Sequence, residues 1–236
     1  MNYQITVLRQ PDRKSSPYTQ TISYTCGDPQ MSIATLLKSM NADDSIRDVE
    51  GKPVGEICYE CRCLQKKFGA CAMRINGRPR LACDAKLGEF KNGRILLEPL
   101  KKFPVIADLI VDRALMMENL KSICLWLNNE ARHTRQGDEI AYEASRCLQC
   151  GCCLDVCPNF IPGEEFYSAA AFVPAARILT QLQKKEKTEL LDQYVGKVYQ
   201  ECGKSLSCRD ICPAGIDIDS LLVNNNAVAV WKRYKK

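Results

Sequence analysis

Histidine is nearly absent from this sequence. Of 236 residues only one, His133, carries an imidazole, so imidazole-based acid–base chemistry and histidine-rich metal sites have almost nothing to work with. His133 is expected to be an ordinary helix residue. A GxGxxG fingerprint is also missing, which leaves the chain without a recognisable hold on a hydride-carrying dinucleotide. Long apolar runs are lacking too. A membrane-spanning helix needs ~20 apolar residues, yet residues 103–111 include Pro104 and Asp108, and residues 168–179 include Pro174. The opening MNYQITVLRQPDRK has no basic start leading into an apolar core, so no secretory signal is expected and the cytoplasm is the expected compartment. Finally, neither charge sign dominates. The net charge of +5 comes from 33 basic and 28 acidic residues scattered along the chain, with no nucleic-acid patch. The basic run after Trp231 reads as a solvated tail, or as a dock for an acidic partner or membrane face.

What the chain has is cysteine, fifteen in all. In a reducing cytoplasm so many thiols are not a disulfide framework, and an odd count with adjacent Cys152 and Cys153 fits pairing badly. Metal is the alternative, and the thiols fall in two groups with a cysteine-poor stretch between them. Around the first group, residues 3–8 and 18–24 are β-branched and aromatic on either side of the turn-like PDRKSSP, which predicts a strand pair. Ile33, Leu36, Leu37 and Met40 recur at helical spacing. Asn76-Gly77 marks a turn between residues 72–75 and 80–83, and residues 94–98 supply another strand. These elements make a small mixed sheet with one covering helix. After Pro104 the chain becomes rich in Leu, Ala, Met, Glu and Lys and reads as helical. The expectation is an α+β protein with domains at 1–103 and 104–236.

The run CLQCGCCLDVCP, residues 147–158, contains CxxCxxCxxxCP, the spacing of bacterial ferredoxins. In two-cluster proteins of that kind the cysteine before the proline ligates the other cluster, so a partner loop is required. CGKSLSCRDICP, residues 202–213, repeats the pattern with Ser205 in place of the second cysteine. Exchange of the last cysteines gives Cys147, Cys150, Cys153 and Cys212 to a 4Fe-4S cluster and leaves Cys157, Cys202 and Cys208, a set that suits a 3Fe-4S cluster. A serine alkoxide is a weak ligand for a soft metal site. Structural zinc would favour four ligands in two pairs, a poorer match. Cys152 lies between ligands and reads as a buried thiol.

The first group, EICYECRCLQKKFGACAMRINGRPRLAC, holds Cys58, Cys61, Cys63, Cys71 and Cys83. A plant-type 2Fe-2S centre uses CxxxxCxxC and a distant cysteine. Aligned on Cys63, Cys71 and Cys83, the pattern has Phe68 where a ligand belongs. A nearby thiol must replace it if the cluster is present; Cys61 is the choice, with Cys58 as the alternative. The leftover thiol and the cations Arg62, Lys66, Lys67 and Arg74 have ordinary readings as core and solvated residues, as do Cys26 and Cys124 as core thiols. Pro158, Asn159 and Phe160 read as a turn after a ligand.

Taken in order, GACAMRINGRPRLAC, FPVIADLIVD, CLQCGCCLDVCPNF and the final CxxxxxCxxxCP make the chain resemble, over almost its full length, the iron-sulfur subunit of the succinate dehydrogenase and fumarate reductase family. The resemblance implies an N-terminal β-grasp domain of plant-type ferredoxin character followed by an all-α domain like bacterial ferredoxin. It also implies a non-catalytic relay of electrons between a FAD-bearing partner subunit and a quinone or other acceptor. Membrane-anchor subunits would then place the protein on the inner face of the cell membrane. Gly203 departs from the histidine that quinone-linked members often carry after the first cysteine of the last motif. That keeps one rival in view, the relay of a soluble flavin-dependent reductase serving a thiol or other carrier; a rival of a different class is an iron-sulfur sensor module, against which the mild charge argues.

Overall fold

The computed structural model describes residues 1–127, 130, 135–181 and 187–231. His133 and the basic residues 232–236 lie outside them. The chain forms two compact units, Met1–Asp112 and Arg113–Lys236.

In the first unit, β1 (Asn2–Arg9) pairs antiparallel with β2 (Tyr18–Thr25) in unbroken register from Asn2↔Thr25 to Arg9↔Tyr18. β3 (Ala72–Ile75) and β4 (Arg78–Leu81) form a hairpin over Asn76-Gly77, whose φ values of 49° and 77° are those of a primed turn. β5 (Arg94–Glu98) runs parallel to β1 and antiparallel to β3, giving the order β2-β1-β5-β3-β4. Gly93, at φ 66°, lets β5 enter beside β1, since a Cβ there would lie 2.7 Å from the Asn2 carbonyl oxygen.

Period-two alternation buries Tyr3, Ile5, Val7, Ile22, Ile75, Ile95 and Leu97. The helix α1 (Ile33–Asn41) supplies the matching stripe of Ile33, Leu36, Leu37 and Met40. Ser32 caps it by accepting from the Thr35 N–H at 3.1 Å. This is the small mixed sheet with one helix that the sequence predicts.

The first compact unit runs to Asp112. Residues after Pro104, expected to be helical, first form two short strands, β6 (Val105–Ala107) and β7 (Ile110–Val111). β-Branched Val105, Ile106, Ile110 and Val111 favour that pairing over a helix.

Asp108, in the turn between β6 and β7, is 1% exposed and pairs with Arg9 at 3.1 Å. It accepts the Gln10 and Cys58 N–H groups at 2.8 and 2.9 Å. Arg9 in turn donates to Gln20 and to the Val54 and Glu56 carbonyls. A buried ion pair thus ties the end of β1 to the start of the cysteine loop. Removing one partner strands the other charge in the interior, so Asp108→Ala is expected to destabilise this unit by about 3–5 kcal/mol. A denaturant midpoint unchanged from wild type would refute that role.

The second unit is helical: α2 (Ala114–Ser122), α3 (Arg135–Ser145), α4 (Cys152–Val156), α5 (Ser168–Leu179), α6 (Lys187–Tyr194), α7 (Ser207–Ile211) and α8 (Ile218–Asn226). Its core is α5, where Phe172, Val173, Ala175, Ala176 and Leu179 are buried against Leu190, Tyr194 and Leu221. Pro174 sits inside that helix. Having no N–H, it leaves the Ala170 carbonyl without its usual partner four residues on. Buried polar contacts close the core, with Tyr194 Oη 2.8 Å from Asn226 Oδ1 and Asn225 Nδ2 donating to the Phe172 carbonyl at 2.8 Å.

Candidate metal centres

The two ferredoxin-like loops of the second unit have the same local build. α4 begins after Gly151 at φ 86° and α7 after Leu206 at φ 55°, both left-handed. Each short helix ends at a cysteine in extended backbone, Cys157 at φ −68°, ψ 120° and Cys212 at φ −64°, ψ 112°. The cause is the proline that follows, which drives the preceding residue out of the helical region. α4 and α7 pack against each other, so each extended cysteine is sent toward the opposite loop.

The thiols gather accordingly. Burial pushes the Cys147 thiol up, and negative charge at Cys150 and Cys212 adds to the effect. Cys153 is pushed well up by desolvation, with Cys150, Cys147, Cys208 and Cys212 acting on it. Cys147, Cys150, Cys153 and Cys212 all line one pocket, walled by apolar groups such as Ala170 and Val173. Cys152 does not line it; its buried thiol donates to Cys150, which holds Cys150 down at about 7 and raises Cys152. The Arg113 charge also favours the Cys150 thiolate, and its Nε donates to the Cys150 carbonyl at 3.3 Å. Glu143 and Arg146 staple the far side: Arg146 Nη2 donates to the Ala214 carbonyl at 2.6 Å, and Glu143 accepts the Asp217 N–H at 3.0 Å. Both contacts fix the segment that follows Cys212.

The second set is Cys208, pushed up to about 11 by burial and then by Cys157 and Cys202. Ser205 is exposed, and its hydroxyl lies 3.3 Å from that of Ser207. Asn159, in the turn after Cys157, donates from Nδ2 to the Glu201 carbonyl at 2.8 Å. Its amide also crowds Gly203, where a Cβ would lie 3.2 Å from Asn159 Oδ1.

In the first unit, Cys71 and Cys83 flank the β3–β4 hairpin with their sulfurs 3.4 Å apart. Cys61 hydrogen-bonds with Cys71 and feels the charges of Cys83 and Cys63, although burial is the main cause of its raised pKa. Cys63 is shifted the other way, because the Gln65, Lys67 and Phe68 N–H groups turn toward its sulfur. Left-handed backbone at Leu64 (φ 52°) and Lys66 (φ 58°) makes this nest. Phe68 therefore brings a backbone N–H, while its side chain is 64% exposed.

Cys58 has other company. Its thiol is raised by burial, then by Asp108 and Glu56, with Arg9 opposing. The structure brings Cys61, Cys63, Cys71 and Cys83 together and leaves Cys58 at the Asp108 node. Cys26 is buried as expected. Cys124 is not a core thiol; it is half-buried, with its sulfur 3.4 Å from Glu189 Oε1.

The donor chemistry of these sets, thiols with no histidine among them, fits iron-sulfur clusters. Four thiols spread around a cavity suit a cluster, whose own sulfide fills the centre.

Known proteins agree. The 2Fe-2S iron-sulfur cluster binding domain matches residues 4–118 and the 4Fe-4S dicluster domain residues 143–216. The succinate dehydrogenase iron-sulfur subunit of Bacillus subtilis is 29% identical over 93% of this chain and 89% of its own length. The fumarate reductase iron-sulfur subunit of Wolinella succinogenes is 32% identical over 70% of this chain and 74% of its own length. The fold is shared with a chain of the Mycobacterium smegmatis Sdh1 complex in the apo form, at a TM-score of 0.76 and 21% identity over 99% of this chain and 98% of that one. The chain belongs to the family of succinate dehydrogenase and fumarate reductase iron-sulfur subunits, carrying 2Fe-2S and 4Fe-4S centres as a non-catalytic electron-transfer subunit.

Proposed function

We propose that the chain relays electrons through three centres. Cys61, Cys63, Cys71 and Cys83 hold the 2Fe-2S cluster, Cys147, Cys150, Cys153 and Cys212 the 4Fe-4S cluster, and Cys157, Cys202 and Cys208 a 3Fe-4S cluster. One-electron carriage is the chemistry these groups supply when bound. The protein's part is to hold deprotonated thiols, shield them from water and set the field around them. The observation that carries the reading is the pair of matching loops whose last cysteines lie with the opposite loop's thiols, Cys212 with Cys147, Cys150 and Cys153, and Cys157 with Cys208.

The relay runs between a FAD-containing catalytic subunit and an acceptor at the three-iron end. Quinone, with membrane-anchor partners holding the protein at the inner face of the cell membrane, is the first choice of acceptor. Among the described residues no helix is long and apolar enough to cross a membrane, so such attachment would come from a partner. Gly203, crowded by Asn159, supports a second reading in which a thiol or other soluble carrier takes quinone's place. Co-purification separates them: an anchor subunit favours quinone, a soluble two-chain enzyme the second reading.

Anaerobically purified protein is expected to contain roughly nine irons per chain, from two-, four- and three-iron centres, with a distinct paramagnetic signal for each. Iron bound without acid-labile sulfide, or zinc in its place, would refute the assignment.

A further inference from the structure

We propose that Gln149 is a positioning residue that sets the potential of the four-iron centre by donating a hydrogen bond to the Cys147 sulfur. The inference rests on the assignment of Cys147, Cys150, Cys153 and Cys212 to that centre. Gln149 Nε2 lies 3.2 Å from Cys147 Sγ and 3.4 Å from the Ala170 carbonyl oxygen. Both neighbours are acceptors once the thiol is a ligand, so the amide nitrogen must face them and the amide cannot be turned over. The second contact has a cause in the sequence. Pro174 cannot supply the helical N–H that the Ala170 carbonyl would otherwise take, and Gln149 serves that oxygen instead. The helix proline thereby anchors the amide from behind.

One feature makes a passive role a poor explanation. Gln149 Oε1 is buried with no hydrogen-bond partner, an unfavourable arrangement that an apolar side chain of similar size would avoid. The left-handed backbone of Gln149, at φ 48°, recurs at the matching Lys204, at φ 53°, so it is a feature of both loops and fixes where the side chain starts. What the residue gains in return is a charge-assisted bond to a thiolate in a largely apolar cavity. Reduction adds negative charge to the centre and its sulfurs. An N–H dipole aimed at one of those sulfurs favours the reduced state and raises the potential.

The test uses the full-length protein with its clusters in place and reads midpoint potentials by redox titration followed by paramagnetic resonance. Gln149→Leu removes the donor, and the near-isosteric Gln149→Glu replaces it with an acceptor. Both variants should keep the four-iron signal and titrate at lower potential than wild type, Glu lower than Leu, with the other two centres unmoved. If Leu alone fails to assemble the centre, the Glu variant decides. An unchanged potential with the four-iron signal intact would overturn the inference while leaving the ligand assignment standing. Loss of the four-iron centre in both variants would also overturn it, by making Gln149 an assembly residue. A wild-type protein without a four-iron signal would overturn the ligand assignment beneath it.

Discussion

Ser205→Cys is expected to convert the three-iron centre to a four-iron one, abolishing the oxidised-state paramagnetic signal and adding about one iron per chain. Position 205 matches Cys150 in the other loop, and the residue after each is left-handed, Gly151 at φ 86° and Leu206 at φ 55°. The backbone at Ser205 thus already follows the course that puts Cys150 at its cavity. What is missing is a soft ligand. The hydroxyl is exposed and lies near Ser207, whereas a thiolate is the ligand an iron-sulfur site selects. A variant with the three-iron signal and iron content of wild type would refute the assignment of Cys157, Cys202 and Cys208.

The second large effect is expected at the two-iron centre. Cys61→Ser should eliminate the reduced two-iron signal and about two irons per chain, while Cys58→Ser should retain both. Cys61 hydrogen-bonds with Cys71, whereas Cys58 faces Asp108, Glu56 and Arg9. Because Cys58 contributes its N–H to Asp108 through the backbone, its side chain can be exchanged without opening that node. The reverse pattern, signal lost with Cys58→Ser and kept with Cys61→Ser, would show that the loop rearranges around its metal.

Much of the site is legible in the sequence. Thiol spacing within a loop, and a proline after the last thiol, act over a few residues, and Cys147, Cys150 and Cys153 need nothing more to identify a cluster loop. The strand pair, α1 and the Asn76-Gly77 hairpin were readable for the same reason, since alternation and turn chemistry are local. The short β6 and β7 strands were not. They lie just after Pro104, in a region whose composition turns helical further on. A β-branched cluster was the available signal, but two- and three-residue strands carry too little alternation to announce themselves.

The sequence by itself determined the kinds of centre and the family, because a cluster's ligands are spelled out by short gaps between cysteines. Only the tertiary structure shows which of two neighbouring thiols lies against Cys71, and which backbone N–H groups, that of Phe68 among them, turn toward Cys63. Those outcomes depend on Asp108, fifty residues from Cys58 in the chain, and on backbone N–H groups that no side-chain pattern records. The contact from Gln149 to Cys147 and Ala170 is likewise a product of folding, since a carbonyl freed by a proline finds its donor in a different loop.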